Sequence, residues 1–160
     1  MKSLSYYFSE FDNIIEKYGL EKIKTIGDAY MAAGGLPVID NNSVKNTVLA
    51  ALEMADFVVN RKTEREASGQ IPFEMRLGIH TGPVVAGIVG VKKFQYDIWG
   101  DAVNVAARME STSEIHQINI SESTYQLVKD RFECSPRGQI HAKNKGKVNM
   151  YFVEKERLAQ

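Results

Sequence analysis

The sequence predicts an α+β domain in which helices cover one face of a mainly antiparallel sheet. Three observations carry that prediction. Segments with apolar residues at helical spacing alternate with short segments of alternating apolar and polar residues. The short segments come in pairs joined by tight turns, at Gly27-Asp28 and across Lys143–Lys147. The 160 residues hold no repeat, low-complexity tract or linker, so they form one domain over 1–160, long enough to bury a core.

In chain order, Leu4, Tyr7, Phe8, Phe11, Ile14, Ile15 and Tyr18 follow helical spacing, with Gly19 placed as the stop. Glu21–Ile26 and Ala29–Ala33 read as a hairpin that Gly34-Gly35-Leu36-Pro37 ends. Asp40–Ser43 is a polar loop, with Ser43 placed to cap the next helix. Val44, Val48, Ala51, Leu52, Ala55, Val58 and Val59 make that helix amphipathic, and the charged run Lys62–Gly69 reads as a surface excursion. Phe73, Met75, Leu77 and Ile79 alternate as a half-buried strand. After the turn Thr81-Gly82-Pro83 come a strand over Val84–Val89, an extended segment Phe94–Trp99 and a helix over Ala102–Glu110. Ile118–Ile120 is a short strand, and Ser121 is placed to cap a helix running to about Lys129. Gln139–Lys143 and Val148–Val153 complete the chain as two strands joined by a basic turn.

Twenty basic and twenty acidic residues leave no net charge. The balance argues against a non-specific grip on nucleic acid or an anionic membrane, so a bound polyanion needs a local basic site. Cys134 is the only cysteine and has no internal disulfide partner, in keeping with a reducing compartment. No apolar run has the length of a membrane span and the N-terminus has no signal-peptide core. The segment is therefore expected to be cytoplasmic, whether free or as the cytoplasmic domain of a membrane-anchored parent, with no direct membrane contact.

The most informative stretch is Tyr96-Asp97-Ile98-Trp99-Gly100-Asp101-Ala102-Val103-Asn104-Val105-Ala106-Ala107-Arg108-Met109-Glu110. A loop carrying an acid, an aromatic and a glycine runs directly into a helix. On that helix Asn104 and Arg108 are four residues apart and project from one face. An amide and a guanidinium side by side on a rigid element suit a sugar and a phosphate. Other residues are less specific when taken alone. Gly27-Asp28 makes a turn, Lys24 is a strand lysine of the kind that usually lines a solvated edge, and Lys143-Asn144-Lys145-Gly146-Lys147 is a charged hairpin turn. Gly82, Gly87 and Gly90 fit no phosphate-loop or dinucleotide fingerprint. His80 has no second ligand at metal spacing and reads as structural; Asp101 and Glu110 read as helix-end charges.

The Tyr96–Glu110 run resembles the signature of class III nucleotidyl cyclases, which turn ATP or GTP into a 3′,5′-cyclic nucleotide, and the resemblance extends over nearly the whole chain. It implies a ferredoxin-like core and a division of labour among named residues. Asp28 matches an aspartate that holds a catalytic pair of Mg²⁺ or Mn²⁺ ions. Lys24 and Asp97 match the two base-reading positions. An ammonium only donates, which suits the N1 acceptor of adenine, and a carboxylate accepts from the 6-amino group, so both point to ATP. Asn104 matches the residue that orients the ribose, and Arg108 the one that stabilises charge on the α-phosphate. Lys145 and Lys143 match ligands of the β- and γ-phosphates.

The resemblance further implies a head-to-tail homodimer with shared sites, Asp28 of one protomer serving with Lys24, Asp97, Asn104, Arg108 and Lys145 of the other. The family's first metal-binding strand, with a motif like Asp-Ile-x-Gly-Phe, is not found in this sequence. It belongs between the Ala29–Ala33 and Phe73–Ile79 strands, so the expectation is an incomplete sheet and a weak or inactive chain when alone. The expected function is that of an adenylate cyclase domain in signal transduction. The alternatives are a catalytically dead homologue acting as a nucleotide-binding, dimerising regulator, and a guanylate cyclase.

Overall fold

The computed structural model describes residues 4–90, 92 and 95–158. Twelve elements follow in the order α1 Leu4–Lys17, β1 Glu21–Ile26, β2 Ala29–Ala33, α2 Ser43–Ala67, β3 Leu77–Ile79, β4 Val85–Val89, β5 Gln95–Trp99, α3 Asp101–Ser111, β6 Ile118–Ser121, α4 Glu122–Val128, β7 Phe132–Ala142 and β8 Gly146–Glu156. The class is α+β, as expected. The expected start of an extended segment at Phe94 lies outside the described residues.

The strands form three ladders. β1 and β2 make an antiparallel hairpin, β4 and β5 make another, and the main sheet has the order β3-β6-β8-β7. Within it β3 runs parallel to β6, while β6 with β8 and β8 with β7 are antiparallel. The final hairpin is much longer than the sequence suggests, its two strands reaching from Phe132 and to Glu156. Register irregularities at Glu133/Cys134 and Pro136/Gly138 break the apolar alternation over its first half. Among the described residues, β2 and β3 belong to separate ladders and are not hydrogen-bonded to each other.

Two apolar clusters explain the position of α2. Val48, Ala51 and Ala55 pack on Leu77, Ile118, Ile120, Phe132 and Val153 of the main sheet and on Val128 of α4. Ala50 and Val58, on another side of α2, receive Tyr7, Phe11 and Ile14 of α1. A third cluster joins Val105 and Met109 of α3 to Ala142 and Met150 at the end of the final hairpin. On β6, Ile118 and Ile120 face α2. The intervening Asn119 donates its side-chain amide to the Met109 carbonyl at 3.0 Å. Helices therefore flank both faces of the main sheet, where the sequence predicts one covered face.

That layering depends on Gly78 of β3. A Cβ there would lie 2.0 Å from the Glu110 nitrogen and 2.4 Å from the Met109 carbonyl carbon, so only a glycine lets α3 lie directly on the strand.

Three local expectations are corrected. The run Lys62–Gly69 is no surface excursion, because α2 continues to Ala67. The run from Asn60 to Ala67 loses apolar periodicity but consists largely of residues that tolerate a helix. Arg61 pairs with Glu64 at 2.6 Å, one turn on, and no breaker arrives before Gly69. Ser43 is the first helical residue and not the cap; Asn42 holds the cap position, without a side-chain capping bond. Only Leu77–Ile79 of the predicted Phe73–Ile79 strand enters a ladder. Phe73 and Met75 instead pack against the cluster between α1 and α2.

Candidate active site

Lys24 and Asp97 come from different ladders and meet. The β4–β5 hairpin lies against β1, and Lys24 Nζ donates to Asp97 Oδ2 at 2.9 Å. Asp97 Oδ1 accepts from the Ile98 amide at 2.8 Å. The Lys24 ammonium, and after it the Ile98 amide, hold the Asp97 carboxyl below its ordinary range, so Asp97 is ionised at neutral pH. Neither side chain is sealed off: Lys24 keeps 32% of its side-chain exposure and Asp97 keeps 14%. A donor and an acceptor thus stand side by side, reachable from solvent.

From Asp97 the chain passes through Trp99 and Gly100 straight into α3. Ala102, Val105 and Met109 form the buried side of this helix, which leaves Asn104 and Arg108 on its exposed side. Arg108 Nη2 makes a long contact, 3.4 Å, to the His141 carbonyl near the end of β7. The basic turn after β7 folds onto the same helix, with the Asn144 amide donating to Asp101 at its start at 3.4 Å. Asn144 has φ +66, a left-handed conformation that asparagine tolerates better than most residues. Lys143 and Lys145 are carried on this turn, both exposed. Asp97, Asn104, Arg108, Lys143 and Lys145 therefore lie along one continuous path from β5 across α3 to the final hairpin.

Asp28 is exposed at the tip of the β1–β2 hairpin, four residues beyond Lys24. Among the described residues no three His, Cys, Asp or Glu side chains are grouped so that they would hold a metal ion. Asp28 offers one carboxylate, and a single carboxylate does not by itself fit a pair of ions.

His80 and Ser121 act together in a way the sequence does not reveal. His80 Nδ1 lies 2.6 Å from Ser121 Oγ and 3.3 Å from Ser123 Oγ. Ser121 does occupy the cap position of α4, yet it makes no side-chain capping bond there. Burial lowers the His80 pKa, and the charge of Lys145, on the turn after β7, lowers it further. The helix-end charges have partners: Glu110 lies 3.4 Å from Arg76, and Asp101 receives Asn144. Trp99, unassigned by sequence reading beyond being an aromatic in the loop, is exposed at the end of β5, two residues beyond Asp97 on the same strand. A neighbouring acid and a Gly87 across the ladder are the signals that would have singled it out.

Comparison with known proteins identifies the family and the fold. The family model described as adenylate and guanylate cyclase catalytic domain matches residues 1–155. An adenylate cyclase of Mycobacterium tuberculosis is 39% identical over 159 residues, covering 99% of this chain and 35% of the relative. The chain thus spans about a third of that relative's length. The crystal structure of the adenylyl cyclase CyaB from P. aeruginosa superposes with a TM-score of 0.88 at 33% identity, covering 96% of this chain and 81% of that one. The guanylate cyclase domain of RhGC from Catenaria anguillulae, in complex with GTP, does so with a TM-score of 0.87 at 35% identity, covering 96% and 82%. No helix among the described residues is long and apolar enough to cross a membrane.

Proposed function

Because the chain belongs to the adenylate and guanylate cyclase catalytic domain family, we propose that it is the catalytic domain of an adenylate cyclase, converting ATP to 3′,5′-cyclic AMP and pyrophosphate. The observation that carries the choice of ATP is the Lys24–Asp97 pair, 2.9 Å apart and open to solvent. The ammonium donates to N1 of adenine and the carboxylate accepts from the 6-amino group. Guanine presents N1–H and a 6-oxo group and meets both with the wrong polarity.

In the reaction the ribose 3′-oxygen bonds to the α-phosphorus as the bond to the bridging oxygen of pyrophosphate breaks, and the hydroxyl proton leaves to solvent. Asn104 orients the ribose. Arg108, one helical turn on, offers a planar guanidinium to the α-phosphate as its charge spreads in the transition state. Lys145 and Lys143, on the turn docked to the start of α3, hold the β- and γ-phosphates as point charges. Domains of this family bind nucleotide and dimerise, and the family generally uses two divalent metals. Asp28 would supply one oxygen donor from the hairpin tip, and this donor alone does not make a site for two ions.

In the proposed head-to-tail homodimer Asp28 of one protomer serves the site built from Lys24, Asp97, Asn104, Arg108 and Lys145 of its partner. The test is to incubate the protein with ATP or GTP and Mg²⁺ or Mn²⁺ and to assay the cyclic products. Cyclic AMP in excess over cyclic GMP supports the reading. Excess cyclic GMP makes this a guanylate cyclase, and nucleotide binding without product makes it a regulator.

A further inference from the structure

We propose that His80 is a positioning residue for Asn104 and Arg108, holding through Ser121 the turn against which the start of α3 is packed. The proposal rests on the roles given above to Asn104 and Arg108. Residues 80–83 leave the end of β3 and touch the starts of both α4 and α3. On the α4 side the turn is tied by side chains. His80 Nδ1 lies 2.6 Å from Ser121 Oγ, Ser123 Oγ donates to the Thr81 carbonyl at 2.8 Å, and the Thr81 and Thr124 hydroxyls are 2.8 Å apart. Ser121 and Thr124 are fully buried, so neither hydroxyl can exchange these partners for water.

On the α3 side the fit is close and uses no long side chain. A Cβ at Gly82 would stand 3.1 Å from the Ala102 Cβ and 3.2 Å from His80 Nε2, so Gly82 is packed against both the imidazole and the first turn of α3. Gly100, at φ +136, meets the Pro83 carbonyl oxygen, which is 3.4 Å from the point a Gly100 Cβ would occupy. Ala102 is buried, and Asn104 and Arg108 follow on the same helix. A shift of the turn therefore passes to α3 without a flexible side chain to absorb it. Ser121 makes no capping bond to α4, so removing its hydroxyl unties His80 and does not uncap that helix.

Turnover of ATP with Mn²⁺ and amide hydrogen exchange are measured on the wild type, His80→Ala, His80→Asn and Ser121→Ala. His80→Ala and Ser121→Ala should each lower kcat roughly 5- to 100-fold with KM within about threefold, since misplaced Asn104 and Arg108 are felt in the transition state. Their double variant should lose no more than the worse single, as one shared bond requires. Asparagine carries a polar atom at the Nδ1 position, so His80→Asn should recover most of kcat. Exchange in both alanine variants should quicken in the first turn of α3 and stay slow in α2. Four results would overturn the proposal: wild-type kcat in His80→Ala, a loss confined to KM, an asparagine variant no better than alanine, or unchanged exchange in α3. If His80→Ala does not fold, Ser121→Ala carries the same comparison. Failure of the underlying reading has a different signature, a wild type that forms no cyclic nucleotide. Exchange then decides alone: quickened in α3 it upholds His80 as the residue that places the helix, and unchanged it refutes that role.

Discussion

Lys24 donates to Asp97 across 2.9 Å, joining two strands whose residues lie 73 positions apart in the chain. The contact brings the two base-reading candidates to one place and makes each the other's electrostatic support. The Asp97 carboxyl is held below its ordinary range chiefly by this bond, so the charge pair and its contribution to stability are complete above about pH 4 and are lost only as pH falls through the lowered value. Lys24→Ala is expected to move the Asp97 titration upward, read by carboxyl NMR. An unmoved titration would dissociate the two groups in solution.

Lys24→Glu replaces the donor by a second acceptor beside Asp97. The ATP-over-GTP preference in competition binding should fall by about 10- to 100-fold, the range for losing a charge-assisted hydrogen bond. Retention of the wild-type preference would remove Lys24 from base recognition.

Arg108 is exposed, and its side chain makes a long contact to the His141 carbonyl. Arg108→Ala should therefore leave thermal stability almost unchanged while lowering turnover by roughly 10²–10³. Arg108→Lys should restore little, because a planar fork is replaced by a point charge. Equal mixtures of Asp28→Ala and Arg108→Ala chains should recover activity through one intact shared site per heterodimer. Absence of recovery in mixtures that do dimerise argues for sites built within one chain.

Gly78→Ala forces a Cβ to within 2.0 Å of the Glu110 backbone nitrogen. Neither β3, held in the sheet, nor α3, held by Val105 and Met109, has room to give, so the cost should be about 3 kcal/mol or more. Urea unfolding measures it, and an unchanged midpoint would mean that α3 does not lie on β3 as described.

His80 titrates below its ordinary value because it is half-buried and because Lys145 is near. For a histidine depressed in the folded state, stability is full above about pH 6.5 and declines as pH falls below it, since the unfolded chain takes up the proton more readily. Lys145→Ala should raise the His80 titration partway and leave it below the free value, because burial, the larger cause, remains. Imidazole proton NMR resolves the change; no shift would place the Lys145 charge away from His80.

The helices and hairpins were largely legible because apolar spacing and turn residues are local signals. Leu4–Lys17, Glu21–Ile26 with Ala29–Ala33, and Asp101–Ser111 match their predicted spans to within a residue or so. The errors arise where the deciding contact is distant in sequence. Helix α2 outlasts its apolar stripe because charged residues maintain a helix without burying a face. Phe73 and Met75 alternate like strand residues, but α1 and α2 claim their side chains. Ser121 has the residue type of a cap and spends its hydroxyl on His80.

By itself the sequence determined the class, the order of elements and the residue types of the site, since periodicity, turn chemistry and the Asp97–Arg108 run are properties of neighbours along the chain. Tertiary structure alone decided which side chains share a surface. The approach of β1 to β5 made Lys24 and Asp97 a pair, the closeness of α3 to Gly78 turned Asn104 and Arg108 toward solvent, and the bare backbone of Gly87 received Trp99. These relationships join residues from different ladders or from opposite strands of a register, and no local pattern encodes a separation that only packing sets.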